Sequence, residues 1–206
     1  MTGQHPLVIT LWETYGSNME AVSEALAAEL GLPLHQQAYS SQAIEEATAE
    51  REREGALGRL LRNFAPANFA FDGAVSNAAT AEQANYAAMA EENTAQVHRA
   101  AEAGGVIQGR NGQYILKDRP NTVHVKLDGS VEGRVRFAAQ GGLGEERAAR
   151  RQLIEDEFRS QLSQKTYHFD PRDNGWYDVV VNGSGLPVGA VVAVIKAAVE
   201  GKSATS

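Results

Sequence analysis

The chain has 206 residues, 43% of them apolar and 22% charged, a formal net charge of −7 and no cysteine. These values suit one sizeable core and exclude a disulfide framework, a thiol nucleophile and a cysteine-based metal site. The acid excess argues against a nucleic-acid or anionic-membrane surface. No apolar run approaches the roughly 20 residues of a spanning helix, and "MTGQHPLVITLW" lacks a basic leader region, so the expected setting is the cytoplasm.

In chain order, Leu7–Leu11 reads as a buried strand, followed by a turn at Tyr15-Gly16-Ser17-Asn18. Val22, Leu26 and Leu30 recur at helical spacing and Gly31 supplies the stop. Residues 31–37 suit a short second strand, 40–64 a Ser-capped helix and 65–80 a loop; 81–103 is a long Ala-rich helix. Strands are expected at 106–110, at 121–129 with Val123, Val125 and Leu127 on one face, and at 177–183 as a buried β-branched run. Ser130 caps a helix to Gln140, and 144–165 is a helix with an Ile154, Phe158, Leu162 stripe. A last helix over 186–201 buries Val188, Val191, Val192, Ile195 and Val199, and 202–206 is expected to be a disordered tail.

Strands alternate with helices, and the strands are continuous apolar runs. That pattern predicts an α/β fold, a doubly wound parallel sheet covered on both faces. Ligands then bind beyond the carboxyl ends of the strands. Three places fall there: the turn after Trp12, Gly109-Arg110, and the segment after Leu127.

The segments "VITLWETYGSNMEAVSEALAAELGLPL", "VIQGRNGQYILKDRPNTVHVKLDGSVEGRVRF", "ARRQLIEDEFRS" and "YDVVVNGSGL" together resemble the cytidylate kinase-like family of P-loop proteins. The resemblance implies a five-stranded parallel sheet of the nucleoside monophosphate kinase type, a P-loop NTPase fold. It implies a single domain over 1–201, with a helical monophosphate-binding insertion at 40–103 and a lid-like helix at 141–165. It also implies ATP and Mg²⁺ as cofactors and a (d)CMP-like acceptor. Tyr15, Gly16, Ser17 and Asn18 match the phosphate loop, and Gly109 and Arg110 a monophosphate clamp. Arg134 matches an adenine-stacking arginine, and Arg150, Arg151 and Arg159 match the lid arginines that embrace the transferred phosphate.

The loop departs from the family pattern. Asn18 and Met19 stand where two glycines are usual, Glu20 where an arginine is, and Trp12-Glu13 where a Ser-Arg pair is. Phosphoryl transfer is mostly positioning and charge stabilisation, and this loop offers no cation. A carboxylate at about 4 Å from a phosphate, at an effective dielectric near 20, costs on the order of 4 kcal/mol; Glu13 and Glu20 flank the loop. The helix-α arginines have a competing reading as a solvated face, because Glu145, Glu146, Glu155, Asp156 and Glu157 nearly balance them; Arg147 reads as surface. Lys117 and Arg119 belong to the turn before a strand. His5, His35, His98, His124 and His168 show no ligand spacing, so no metal site is expected.

Three functions follow: phosphotransfer from ATP to a (d)CMP-like acceptor, an inactive relative that still binds a nucleotide or phosphorylated small molecule, or an interaction protein whose pocket Trp12 fills. The Ala-rich helix leaves a homo-oligomer open.

Overall fold

Val8–Glu13 (β1) is an unbroken run of buried side chains, as a strand covered on both faces must be. In the computed structural model, which describes residues 5–36 and 78–203, it is the centre of a five-stranded sheet. The other strands are Leu34–His35 (β2), Gly105–Gln108 (β3), Thr122–Asp128 (β4) and Val179–Asn182 (β5). Their order is β2-β3-β1-β4-β5 and every pairing is parallel. The helices are Met19–Leu30 (α1), Ala78–Ala103 (α2), Gly112–Ile115 (α3), Val131–Ala138 (α4), Glu145–Tyr167 (α5) and Val188–Ser203 (α6). This is the expected α/β architecture.

Alternation along the strands divides the core. Ile9, Leu11, Val123, Val125 and Leu127 pack against Met19, Val22 and Leu26 of α1 and Val191, Val192, Ile195 and Val199 of α6. Each such fully buried aliphatic side chain contributes about 1.5–3 kcal/mol. The opposite face is smaller: Val8 and Ile107 meet Val97 and Ala101 of α2 and Leu116. Towards the strand ends that second face turns polar, carrying Thr10, Trp12, His124 and Lys126. Thr10 Oγ1 meets His124 Nδ1 at 2.8 Å, and burial pushes the imidazole down to about 4, so His124 is a neutral packing group.

Several boundaries differ from expectation. Residues 78–80 are helical, not loop; the expected helix over 40–64 lies outside the described residues. β5 is an edge strand rather than a buried one, and Val180 is 43% exposed. Lys202 continues α6 instead of joining a tail, and its Nζ donates to Asp178 at 2.7 Å. The Ile154, Phe158, Leu162 stripe of α5 is only half-buried. The buried face of that helix is Ala148, Gln152, Glu155, Ser160 and Ser163, small or polar at nearly every position. Such a face cannot be held by the hydrophobic effect, so what it bonds to decides what it does.

Candidate functional site

Two strand-to-helix loops meet at the carboxyl end of the sheet, because β1 and β3 are neighbours. The loop after β1 is tightly packed. Gly16 has φ +80°, and a Cβ there would lie 2.5 Å from the Arg134 carbonyl oxygen, so only glycine fits. A Cβ on Gly183, in the loop after β5, would lie 2.1 Å from the Ser17 carbonyl oxygen. Asn18 is left-handed at φ 65° and its side chain makes no cap bond to α1. Thr14 Oγ1 meets Ser17 Oγ at 3.0 Å and donates to Asp128 Oδ1 at 2.8 Å. Burial raises the Asp128 carboxyl, but hydrogen bonds from Thr14, Gly129 and Lys126 outweigh it and hold the group below its ordinary value.

The loop amides are answered by the protein's own carboxylates. Tyr15 N–H donates to Asp156 Oδ1 at 2.7 Å. The Met19 amide, at the start of α1, bonds the Glu13 carboxylate. Arg134 is 4% exposed and is built into this arrangement. Its Nη1 donates to the Tyr15 carbonyl at 2.7 Å and to Asp156 Oδ2 at 2.9 Å, and its Nε donates to the Gly129 carbonyl at 3.1 Å. Gln152 adds a bond to Asp156 Oδ2 at 2.8 Å. Arg134 thus braces the loop from within. Glu20, expected to repel phosphate, is exposed.

The loop after β3 is built differently. Gly109, Arg110 and Asn111 are left-handed in succession, at φ 62°, 59° and 56°, a backbone strain of the kind that collects at ligand sites. Beside it lies a cavity of about 100 Å³ lined by residues of β1, the β3 loop, α2 and α5. Its polar wall holds Glu13, Arg110 and Arg159, and its apolar wall includes Trp12, Phe158 and Leu162. Trp12 packs on Tyr177 with centroids 6.2 Å apart, so it forms a wall rather than a plug.

Within the cavity, Arg159 Nη2 lies 2.8 Å from Glu155 Oε2 and 3.5 Å from Glu13 Oε1. Arg159 is 11% exposed at its side chain, and its Nη1 has no hydrogen-bond partner among the described residues. Burial pushes Glu13 up to about 7, against the pull of Arg159. Arg110 Nε donates to the Gln36 carbonyl at 3.0 Å and Nη1 to Gln96 Oε1 at 2.5 Å. Asn93 ties α2 to both sides, donating to the Arg110 carbonyl and to Tyr167 Oη, each at 2.8 Å.

The cytidylate kinase-like family profile matches residues 8–185. The chain belongs to the cytidylate kinase-like family. A uronate isomerase of Corynebacterium glutamicum is 32% identical over 127 residues, which are 60% of this chain and 24% of that protein; the match therefore spans about a quarter of that relative. A crystal structure of an uncharacterized protein from Eubacterium ventriosum superposes with a TM-score of 0.62 at 17% identity, covering 94% of this chain and 98% of that one; that is a likeness of fold. A gluconokinase from Sinorhizobium meliloti gives 0.49 at 16% identity, over 96% and 93% of the two chains.

For a member of the cytidylate kinase-like family, the loop does not fit a triphosphate and its magnesium. Met19 offers no cation, the Tyr15 and Met19 amides face Asp156 and Glu13, and the Thr14 and Ser17 hydroxyls are engaged with each other and Asp128. Of the arginines matched to lid positions, Arg159 reaches the cavity. Arg150 is 69% exposed and pairs with Glu146 at 3.8 Å; Arg151 is half-buried and outside the cavity lining. Gln108 is turned away, donating to Ser23 on α1. Arg119 bonds Thr122 Oγ1 at 3.0 Å and the Ala101 carbonyl at 2.9 Å, bracing the turn before β4 as expected. Asp170 pairs with Arg172 and Asp173 caps a short turn.

Sequence reasoning missed Asp156, Glu155 and Asp128 as parts of the site, and missed Lys126. That lysine is buried and donates to Asn174 Oδ1 at 3.0 Å, lies 3.1 Å from Asp128 Oδ2, and sits 5.7 Å from the Trp12 ring. A readable signal existed in α5: small or polar residues at 148, 152, 155, 159 and 163 follow one helical face. No helix among the described residues is long and apolar enough to cross a membrane.

Proposed function

We propose that this chain binds a compact oxyanionic small molecule in the cavity between Arg110 and Arg159, and that it does not move phosphoryl groups from ATP at a kinase's rate. One observation carries the reading: the Tyr15 and Met19 amides of the β1 loop are met by Asp156 and Glu13, and Arg134 holds Asp156 there. An incoming triphosphate would have to displace these carboxylates, with no loop cation to compensate. The cavity, by contrast, presents one guanidinium nitrogen with no partner among the described residues, and burying such a donor costs about 1–3 kcal/mol unless a ligand answers it.

The family favours a nucleoside monophosphate of the CMP type, its phosphate held between Arg110 and Arg159. A second ligand class has a separate support. The cavity, at about 100 Å³, is below the roughly 300 Å³ of a drug-sized site, and the curated relative is named for a uronate, a small hydroxylated acid.

Calorimetric titration with CMP, D-glucuronate and Mg-ATP, with thermal shift alongside, tests the reading. A ligand at 100 times Kd adds about 2.7 kcal/mol of stability. Binding of CMP or D-glucuronate with silence from Mg-ATP is the expected result. Tight Mg-ATP binding with labelled phosphate appearing on CMP would overturn it.

A further inference from the structure

Glu13 and Glu155 flank a single guanidinium, Arg159, in a place shielded from water. With both carboxylates ionised this trio carries a net charge of one minus before any ligand arrives. A third anion beside Arg159 would face two carboxylates across one cation, which is unfavourable in a site of low dielectric. We infer that Glu13 makes oxyanion binding in this cavity proton-coupled: the site takes one compact carboxylate or phosphate group together with one proton, which Glu13 holds. The inference rests on the reading of this cavity as an oxyanion site.

The bookkeeping of charge is simple. The ligand brings one or more negative charges to Arg159 Nη1, and one proton moves from solvent to a Glu13 oxygen. No covalent bond to the ligand forms or breaks. A protonated Glu13 also becomes an O–H donor, so Arg159 and Glu13 offer the oxyanion two donors instead of a donor and a repulsive acceptor. Glu155, 2.8 Å from Arg159 Nη2, keeps Arg159 in place. Other charged groups also face Glu13. From α5 these are Glu155, paired with Arg159, Asp156, whose oxygens are taken by Tyr15, Arg134 and Gln152, and Arg159 itself. From α1 it is the Met19 amide. Arg110 lines the same cavity from the β3 loop, α2 contributes the uncharged Met89 and Asn93, and Lys126 of β4 is spent on Asp128 and Asn174. Burial already pushes the Glu13 carboxyl up to about 7.

The test is isothermal calorimetry of the full chain with sulfate and with D-glucuronate, neither of which titrates between about pH 6 and about pH 9. Each titration is repeated in two buffers of different ionisation heat. The expected result is an affinity for at least one probe that is flat below about pH 6 and falls towards tenfold per pH unit above about pH 7, with close to one proton taken up at about pH 8. Glu13→Gln should bind at every pH with the slope abolished. Affinity independent of pH, no buffer-dependent heat, or a slope that survives in Glu13→Gln would overturn the inference while leaving the oxyanion site standing. Binding of neither probe at any pH would remove both. Should Glu13→Gln fail to fold, the buffer experiment on the unaltered chain decides alone.

Discussion

The loops after β1 and β3 start from the same materials and end in opposite states. Both are short turns at the carboxyl ends of adjacent parallel strands, and both contain left-handed residues that let amides converge before a helix. After β1 the Tyr15 and Met19 amides are met by Asp156 and Glu13, and the turn is sealed between Arg134 and Gly183. After β3 the turn opens on a cavity whose guanidinium nitrogen awaits a partner. A phosphate-type turn is therefore not itself a phosphate site; what decides is whether carboxylates or cations occupy its mouth.

The strongest way to break the contrast is to remove Arg134. Arg134→Ala removes the guanidinium from Asp156, which keeps only Tyr15 and Gln152, and leaves two carbonyls without that donor, and should cost about 3 kcal/mol in urea unfolding. A loss under about 1 kcal/mol would mean the β1 loop is not held as described.

Next comes Glu13→Gln. A carboxyl raised to about 7 in the fold is protonated more in the folded than in the unfolded chain between about pH 4.5 and 7, so its contribution falls as pH rises through that window. Glu13→Gln should therefore stabilise the protein by up to about 3 kcal/mol at pH 8 and by little at pH 4. His124, lowered to about 4, acts with the opposite sign, losing stability as pH falls from about 6.5 to 4. In the parent the two trends oppose each other; in Glu13→Gln the His124 trend should emerge as stability rising by about 3 kcal/mol from pH 4 to 6.5. Denaturant midpoints across pH check both.

Smaller effects sharpen the comparison. Arg110→Ala, on the open side, should weaken oxyanion binding about tenfold, or 1.4 kcal/mol, read by calorimetry. Asn18→Gly, on the sealed side, changes a residue already left-handed and should shift stability by no more than about 0.5 kcal/mol. It should also leave Mg-ATP unbound, because Asp156 still holds the Tyr15 amide; recovered ATP binding would show that Asn18, not Asp156, closes the loop.

The sheet was legible because its strands are continuous apolar runs and its α1 and α6 helices carry clear buried faces at Val22, Leu26, Val191 and Ile195. β5 was read as buried because Val179, Val180 and Val181 look alike in sequence, although only Val181 is buried; edge position is a property of topology. Arg110 could be placed because Gly-Arg follows a strand directly. Arg134 could not, since its partner Asp156 is 22 residues on and belongs to another helix. The acids of α5 read as charge balance for its arginines, yet Glu155 and Asp156 turn inward while Glu157 stays exposed. A one-residue difference in helical phase separates those fates, and only packing sets the phase.

Asp156 and Arg159 stand three residues apart on α5, within about one helical turn. The first grips the β1 loop and the second borders the cavity. A helix is stiff over that length, so the two groups share one lever. If a ligand shifts Arg159, it alters the grip of Asp156, and anything that prises Asp156 from Tyr15 must change cavity affinity by the same factor in return, since such effects are reciprocal in free energy. The sealed loop would then act as a counterweight to the open one, its carboxylate latch setting how far α5 can lean towards a ligand.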